Sequence, residues 1–226
     1  MASCLLCSQI VTSEITLADL LSFRRLPEPV ICGNCEDQFE RIDQQRTCVQ
    51  CGREQEQPQI CQDCVRWPDD GFKNRALYHY NDRLKRFMSQ YKFNGDYRLR
   101  VIFQTAMRRA IVAWHPEMVV PIPITPVTLY QRGFNQVAGL LEGIPVVEAL
   151  RTKQREKGTP QADKNRQQRL LTPQPFLLNI ENDQLANKRI LIVDDVYTTG
   201  RTIRHAATLL RESGAGEVHG LTLAHG

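Results

Sequence analysis

All eight cysteines of this 226-residue chain lie in its first 64 residues, where they form four C-x-x-C pairs. The pairs are Cys4/Cys7, Cys32/Cys35, Cys48/Cys51 and Cys61/Cys64. Each pair places two thiols on one tight turn, where both can bind the same metal ion, and four thiolates at the corners of a tetrahedron suit Zn²⁺. Because each ion needs two pairs, the spacing predicts two structural Zn²⁺ sites that leave no open position for a substrate.

The sequence allows two ways of pairing these knuckles. The simplest joins the first pair with the second and the third with the fourth, and the alternative is a cross-braced arrangement that joins the first with the third. An iron–sulfur cluster and a set of disulfides are the competing forms of cysteine chemistry. The repeated spacing, together with an N-terminus that lacks the pattern of a secretory signal, favours zinc.

The charge of the chain changes sign near residue 70. Residues 1–70 carry 6 Lys and Arg against 12 Asp and Glu, whereas residues 71–226 carry 23 against 13. We therefore expect two parts, a small zinc-ribbon-like module over 1–70 and a basic domain over 71–226. The module includes a short helix predicted over residues 16–21, behind a capping box of Thr16 and Asp19. A basic domain is typical of proteins that bind phosphates or polyanions, and equally of ordinary solvated surfaces.

Membrane insertion is not expected. With 42% hydrophobic and 24% charged residues, the chain has the composition of a globular protein. Its longest apolar runs, such as Ile190–Val193 and Ala110–Trp114, fall well below the ~20 residues that cross a bilayer. The sequence therefore predicts a cytoplasmic protein with no membrane span.

Strand and helix patterns alternate after the last knuckle. Five segments have the pattern of buried strands: Phe72–Tyr80, Met118–Ile122, Pro145–Leu150, Lys188–Asp194 and Glu217–Leu223. Helices are predicted between them: one behind an N-cap at Asn81, a second ending near Trp114, one over Phe134–Leu141, and one ending at a C-cap on Gly214. This alternation predicts an α/β fold in which a parallel sheet is flanked by helices on both faces.

The segment Ile190–Thr202 concentrates the chemistry. Four apolar residues lead into Asp194 and Asp195, and a loop follows with the sequence Thr198-Thr199-Gly200-Arg201-Thr202. Open α/β sheets bind ligands at the carboxyl ends of their strands. Loop amides, threonine hydroxyls and a helix N-terminus suit a phosphate, while two carboxylates accept hydrogen bonds from a ribose diol, with Mg²⁺ between them and the phosphate. The segment therefore predicts a sugar-phosphate site.

This segment resembles the thirteen-residue phosphoribosyl-pyrophosphate signature of type I phosphoribosyltransferases, with its hydrophobic stretch, Asp-Asp pair and T-T-G-x-T loop. The resemblance implies that Asp194 and Asp195 hold the ribose hydroxyls of phosphoribosyl pyrophosphate. It also implies that Thr198, Thr199, Gly200, Arg201 and Thr202 hold the 5′-phosphate, and that Mg²⁺ accompanies the ligand.

Further stretches extend the resemblance over nearly the whole chain, to the ComF/GntX family of competence proteins, which are associated with the import of transforming DNA. They are the N-terminal knuckles, Tyr91–Asp96, and Val120–Pro123 followed by Arg132–Gln136. Four C-x-x-C pairs resemble the Gram-positive branch of that family. The resemblance implies that Arg132 is a charge partner for pyrophosphate. It also implies single-stranded DNA, the competence helicase and other DNA-processing proteins of the same pathway as partners.

The most cationic stretch is Arg151–Arg169, with seven basic residues against two acidic ones. In the resembled fold a mobile lid closes over the ligand at this place. A cationic lid can clamp pyrophosphate or follow a nucleic-acid backbone, and a solvated surface loop is equally compatible with the sequence. The candidate nucleic-acid contacts are Lys92, Lys153, Arg155, Lys157, Lys164, Arg166 and Arg169, with Tyr91 or Phe93 as stacking partners for bases.

Three functions are compatible with these patterns. The first is a DNA-handling protein of natural transformation with a phosphoribosyl-pyrophosphate pocket. The second is an active phosphoribosyltransferase with an unknown acceptor, and the third is a regulator that senses phosphoribosyl pyrophosphate. No pattern indicates a pocket for an acceptor, so no catalytic residue is predicted.

Overall fold

The structure is a computed structural model that describes residues 2–11, 29–67, 70–153 and 174–226. The helix predicted over residues 16–21 falls outside these ranges. So do five basic residues of the predicted lid: Arg155, Lys157, Lys164, Arg166 and Arg169.

The first part of the chain is organised around its cysteine turns. Two short strands, β1 (Ala2–Ser3) and β2 (Ile10–Val11), pair antiparallel on either side of the first knuckle. The helix α1 (Gly33–Glu36) lies within the second knuckle. The third and fourth knuckles lie in turns.

Six strands follow: β3 (Asn74–His79), β4 (Met118–Pro121), β5 (Leu150–Thr152), β6 (Phe176–Leu178), β7 (Ile190–Tyr197) and β8 (Val218–His225). Four of them form a parallel sheet in the order β3-β8-β7-β4. The other two, β5 and β6, form a separate antiparallel pair.

The helices between these strands are α2 (Asp82–Lys92), α3 (Val101–Trp114), α4 (Pro126–Arg132), α5 (Gln136–Leu140) and α6 (Arg201–Glu212), with 3₁₀ turns at Tyr97–Arg100 and Asn182–Gln184. The predicted N-cap is present, because Asn81 Oδ1 accepts a hydrogen bond of 3.0 Å from the backbone N–H of Leu84. Among the described residues, no helix is long and apolar enough to cross a membrane.

Side chains of β7 alternate between two hydrophobic cores, one on each face of the sheet. Leu191 and Val193 pack against α2 and α3, in a core that includes Phe87, Met88, Phe103 and Met107. Ile190 and Ile192 pack against α6, in a core that includes Ile203, Ala206, Ala207 and Leu210. Because successive strand side chains point to opposite faces, an uninterrupted apolar run fills both cores at once. The predicted α/β architecture, with helices on both faces of a parallel sheet, is confirmed.

The predicted strand over Pro145–Leu150 is wrong for most of its length. Only Leu150 belongs to a strand, and that strand pairs with β6 rather than with the central sheet. Pro145 has no N–H to donate, and Val147 makes one backbone hydrogen bond of 2.9 Å to Val119 in β4. The segment therefore touches the edge of the sheet without continuing it.

The strand β7 extends beyond its predicted end. It continues to Tyr197 because β8 keeps pairing with it, with Asp194 opposite Thr222 and Val196 opposite Ala224. Asp195 therefore lies inside the strand together with Asp194 instead of following it.

The N-terminal part wraps around the β3 edge of the sheet. Arg41 forms an antiparallel bridge with Tyr78, and the backbone N–H of Ile42 donates to the Leu77 carbonyl at 3.0 Å. Gln44 Nε2 donates to the carbonyl of Ala76 at 2.9 Å, which covers a further group of this edge. Residues 1–70 and 71–226 therefore touch along a whole strand, and their division into two domains stays a prediction.

Asn74 ties the third knuckle to the sheet, which gives a test of this contact. Its buried Nδ2 donates to the Cys51 carbonyl at 3.0 Å and to Thr222 Oγ1 at 3.1 Å. We expect Asn74→Ala to lower the free energy of unfolding by about 1–3 kcal/mol, because it leaves a buried carbonyl without its partner. Chemical denaturation measures the loss, and metal analysis measures zinc retention. The same change at the exposed Asn34, within the second knuckle, should cost less than about 0.5 kcal/mol, and an equal loss at both positions would contradict the contact.

Candidate functional site

The eight cysteines form two separate clusters. The first cluster is Cys4, Cys7, Cys32 and Cys35, the second cluster is Cys48, Cys51, Cys61 and Cys64, and the sulfur atoms of each lie within 4.8 Å of one another. This is the sequential pairing, and the cross-braced pairing is not found. The reason is spatial: Cys4 and Cys35 belong to the core that holds α2 and α3, whereas the second cluster belongs to the core on the opposite face.

Both clusters have the geometry that zinc requires. A Zn–S distance of about 2.3 Å places the sulfurs of a tetrahedron about 3.8 Å apart. The Sγ atoms of Cys7 and Cys32 are 3.6 Å apart, and those of Cys51 and Cys61 are 3.7 Å apart. All eight cysteines are free of disulfides, so the second cluster, whose four cysteines are all buried, and the more exposed first cluster can each hold one ion.

Backbone amides around the clusters favour the thiolate form. The N–H of Cys61 donates to Cys48 Sγ at 3.3 Å, and the N–H of Leu6 donates to Cys4 Sγ at 3.4 Å. Burial alone would raise the pKa of Cys4, but hydrogen bonds from backbone amides outweigh it and lower the pKa to about 6. A thiolate is the form that binds a metal.

The end of β7 carries two buried carboxylates, Asp194 and Asp195, which are 8% and 6% exposed. They face different surroundings, because neighbouring strand residues point to opposite faces of the sheet. Asp195 forms an ion pair with the ammonium of Lys92 at the end of α2. Asp194 lines a small cavity together with the threonine loop, and its Oδ1 accepts the backbone N–H of Asp195 at 2.9 Å.

Burial shifts the pKa values of this acidic site strongly. The loss of hydration raises the pKa of Asp194 to about 7, although the positive charge of Lys92 opposes the shift. Burial likewise lowers the pKa of Lys92 to about 8, while Asp194 raises it and the nearby Arg132 lowers it further. Perturbed acids and bases of this kind are typical of ligand-binding and catalytic sites.

The threonine loop turns directly from β7 into α6. Gly200 has φ of 74°, and a Cβ on it would lie 2.1 Å from Tyr197 Oη, so only glycine fits at this position. The small cavity at this turn is lined by Asp194, Val196, Tyr197, Thr198, Thr199, Gly200, Arg201, Thr202, Ile203 and Thr222. The structure thus brings the predicted phosphate-binding residues together with one of the two predicted ribose-binding carboxylates.

Arg132 lies on the helix that follows the neighbouring strand β4. It ends α4, and its Nη1 donates to Gln136 Oε1 in α5. Asn135 caps α5 and also donates through Nδ2 to the carbonyl of Ile122 at 3.1 Å, which ties this loop to the end of β4. The positive charge of Arg132 contributes to the lowered pKa of Lys92.

The predicted nucleic-acid contacts do not share one environment. Lys92 has an 18% exposed side chain that faces Asp195 rather than open solvent, whereas Lys153 is exposed at the end of β5. Tyr91 is fully buried, stacks near Phe134 and donates its hydroxyl to the Gln136 carbonyl at 2.9 Å, so it cannot stack on a base. Phe93 is 78% exposed and is free to do so.

A cleft of ≈ 520 Å³ beside the carboxyl end of β4 was not predicted from the sequence. It lies between the loop after β4 and the β5–β6 pair, with apolar walls from Pro123, Ile124 and Leu150 and polar groups from Glu148 and Asn179. Its size and mixed lining suit a small molecule. The runs Val120–Pro123 and Arg132–Gln136 were sequence signals near it, since both contribute residues to its lining. The opposite wall was missed because Pro145–Leu150 was assigned to a strand of the central sheet.

Comparisons with known proteins show which chains this one resembles. Residues 102–226 match the phosphoribosyl transferase domain. The chain is 37% identical to competence protein ComFC of Streptococcus pneumoniae, over 97% of this chain and 98% of that protein. It is 32% identical to competence protein ComFC of Bacillus subtilis, over 97% of this chain and 93% of that protein. With competence protein F of Haemophilus influenzae it shares 26% identity over 83% of this chain and 87% of that protein.

The raised pKa of Asp194 predicts a pH dependence of stability. A group with a raised pKa in the folded state stabilises the protein below its unfolded pKa, and this contribution is lost as the pH rises through the folded pKa. Between about pH 5 and about pH 7 this loss amounts to about 2–3 kcal/mol. We expect Asp194→Asn to remove this pH dependence. As the pH rises, the free energy of unfolding of wild type should therefore fall relative to that of the variant. Denaturant titrations at several pH values measure the difference, and the exposed Asp37→Asn should leave the wild-type pH dependence in place.

Proposed function

This chain belongs to the ComF family of competence proteins and contains a phosphoribosyl transferase domain, and from that premise we propose that it acts in DNA uptake during natural transformation. In this proposal it handles incoming single-stranded DNA in the cytoplasm while its β7–α6 site binds phosphoribosyl pyrophosphate or a related sugar phosphate. The competence helicase and other DNA-processing proteins of the same pathway are the proposed protein partners.

The sugar-phosphate part of the proposal is supported chiefly by one observation: Asp194 and the threonine loop line one cavity at the carboxyl end of β7, and Asp195 follows Asp194 directly in the strand. Asp194 and Asp195 would accept the ribose hydroxyls, and the loop from Thr198 to Thr202 would donate to the 5′-phosphate. Mg²⁺ would neutralise the negative charge that pyrophosphate brings beside two carboxylates. Arg132, whose guanidinium lies near Lys92, would contribute a positive charge on the pyrophosphate side.

The ion pair with Lys92 compensates the buried charge of Asp195, which would otherwise be costly to bury. A ligand accompanied by Mg²⁺ supplies a competing cation, so binding would weaken the contact between Lys92 and Asp195. Lys92 is then a counter-ion of the sugar-phosphate site in this proposal.

The DNA part of the proposal is supported by charge and by exposed groups. Residues 71–226 carry the excess of positive charge, and Lys153, near the start of the cationic stretch, is exposed. Lys and Arg side chains would bind the phosphates of a single strand without sequence preference, and the exposed ring of Phe93 would stack on a base.

An active phosphoribosyltransferase is the second candidate, and the cleft beside β4 favours it. A transferase needs a pocket in which an acceptor lies next to the sugar phosphate, and this cleft adjoins the loop that carries Arg132. Release of pyrophosphate from phosphoribosyl pyrophosphate in the presence of candidate acceptors would favour the transferase. Ligand binding without pyrophosphate release favours the DNA-handling protein.

Phosphoribosyl pyrophosphate is expected to bind in a Mg²⁺-dependent manner. Asp195→Asn should weaken this binding about tenfold, because a charged acceptor for the ribose hydroxyls becomes neutral. Isothermal titration calorimetry measures the affinity with and without Mg²⁺, and Asp37→Asn is the matched control on an exposed surface. No heat with wild type, or equal affinities of wild type and the Asp195 variant, would remove the ligand assignment.

Single-stranded DNA is expected to bind with a strong salt dependence. The logarithm of the association constant should fall with the logarithm of the salt concentration, with a slope of about −0.7 for each phosphate neutralised. Replacing Lys153, Arg155 and Lys157 together by Ala should make the slope shallower by up to about 2. Fluorescence anisotropy at several salt concentrations measures it. Lys73→Ala, at the opposite end of the sheet before β3, should leave the slope unchanged. If the triple variant keeps the wild-type slope and loses only sugar-phosphate affinity, the stretch does not contact DNA.

A further inference from the structure

A buried arginine, Arg204 in the first turn of α6, lies between the second cysteine cluster and the threonine loop. It is 4% exposed. Its Nε donates to Tyr197 Oη at 3.1 Å, and its Nη2 donates to Gln50 Oε1 at 3.1 Å and lies 3.7 Å from Cys64 Sγ. One guanidinium therefore contacts the turn of the third knuckle, a cysteine of the fourth, and the residue that precedes the loop.

The second cluster explains why a cation is buried at this place. Burying a guanidinium is costly unless charge and hydrogen-bond partners replace its hydration. Four thiolates around one Zn²⁺ carry a formal charge of about −2, which suits a neighbouring cation. The rings of Trp67 and Phe72 each lie 5.1 Å from the guanidinium carbon of Arg204 and add cation–π contacts. The position of Arg204 is therefore set by residues around the cluster.

Arg204 also fixes the Tyr197 hydroxyl, which lies against Gly200 of the threonine loop. Tyr197 Oη, which accepts the bond from Arg204, occupies the space that a Cβ of Gly200 would need. The ring of Tyr197 stacks on His225 with 5.0 Å between centroids, so its hydroxyl has little freedom to move sideways. The backbone N–H of Arg204 also donates to the Gly200 carbonyl at 3.0 Å, which closes the first turn of α6. A shift of the guanidinium would be transmitted to the turn at Gly200 through both contacts.

We propose that Arg204 is a positioning residue that couples the second metal cluster to the phosphate-binding loop through Tyr197. The zinc ion of this cluster then has a second role besides stabilising the fold: it keeps the loop in the conformation that receives a phosphate. The proposal rests on the proposed sugar-phosphate function of the loop. The first cluster, in the core on the opposite face, serves as an internal control.

Three variants test the coupling, with ribose 5-phosphate as the probe. Tyr197→Phe removes only the hydroxyl, Arg204→Lys keeps the charge but loses the planar fork, and Cys61→Ser weakens the second cluster. We expect Tyr197→Phe to retain two zinc ions and to bind ribose 5-phosphate about fivefold to tenfold more weakly, as the loss of one buried hydrogen bond predicts. Arg204→Lys should fall between it and wild type. Cys7→Ser, in the first cluster, should change the affinity less than twofold.

Two further measurements separate coupling from a loss of stability. Coupling between two sites is reciprocal. Ribose 5-phosphate should therefore raise the zinc affinity of one of the two sites by the same factor by which zinc raises the affinity for ribose 5-phosphate. Competition with a chelator measures the zinc affinity. This effect should disappear in Tyr197→Phe even though that variant holds both ions. Hydrogen exchange of the loop amides, followed without ligand, should be faster in Cys61→Ser and Tyr197→Phe than in wild type and Cys7→Ser.

The outcomes distinguish this inference from the proposed function. If wild type binds ribose 5-phosphate and both Tyr197→Phe and Arg204→Lys bind it equally well, the coupling is overturned and the ligand assignment stands. If wild type does not bind it, the ligand assignment fails and hydrogen exchange decides the coupling. Faster loop exchange in Cys61→Ser but not in Cys7→Ser then supports the coupling, and equal exchange in both overturns it.

Discussion

The burial of two carboxylates at the end of β7 is the constraint on which the arrangement of the site depends. The last residues of β7 pair with β8, so they cannot turn towards solvent without breaking those hydrogen bonds. Asp194 and Asp195 are carried into the interior, where an uncompensated charge is costly. On one face of the sheet, the ammonium of Lys92 at the end of α2 compensates the charge of Asp195. On the other face, the raised pKa of Asp194 favours its neutral form. The position of α2, and with it the edge strand β3 that precedes it, is tied to the acidic pair.

The same constraint explains why the N-terminal part is joined so closely to the sheet. The strand β3 leads into α2 and so determines where that helix begins. As an outer strand of the sheet, β3 also has backbone N–H and C=O groups on its outer side that no further sheet strand pairs with. Residues 40–42 and Gln44 cover that edge, and the chain then continues on the other face, where the second cluster joins the core of α6. The two cysteine clusters lie at the two ends of this segment, on opposite faces of the sheet. Zinc bound in both clusters would therefore stabilise the protein beyond the cysteine turns themselves, since each cluster belongs to one of the two cores.

Sequence patterns predicted what is local and failed where a contact joins distant segments. The apolar run Ile190–Val193 gave β7 because a strand buried on both faces needs no alternation, and Asn81 marked its helix because a cap acts within one turn. The cysteine spacing predicted two tetrads. The assignment of Pro145–Leu150 failed because its one bond to β4 has no signature in the residues themselves. The pairing of Lys92 with Asp195 was missed for the same reason: a lysine at the end of an amphipathic helix has the pattern of a solvated charge.

The environment of Arg204 depends on residues that are distant from it in the sequence. It lies next to the apolar stripe of α6, at a position where an arginine is ordinarily exposed, and it is buried because Trp67 and Phe72 close over it. Two cations thus approach the end of β7 from opposite faces, Lys92 towards Asp195 and Arg204 towards Tyr197. One neutralises the acidic groups, and the other holds the hydroxyl beneath Gly200. A ligand with a sugar and a phosphate would contact both the acidic groups and the loop at Gly200. Its binding would therefore depend on Lys92 on one face of the sheet and on Arg204 on the other.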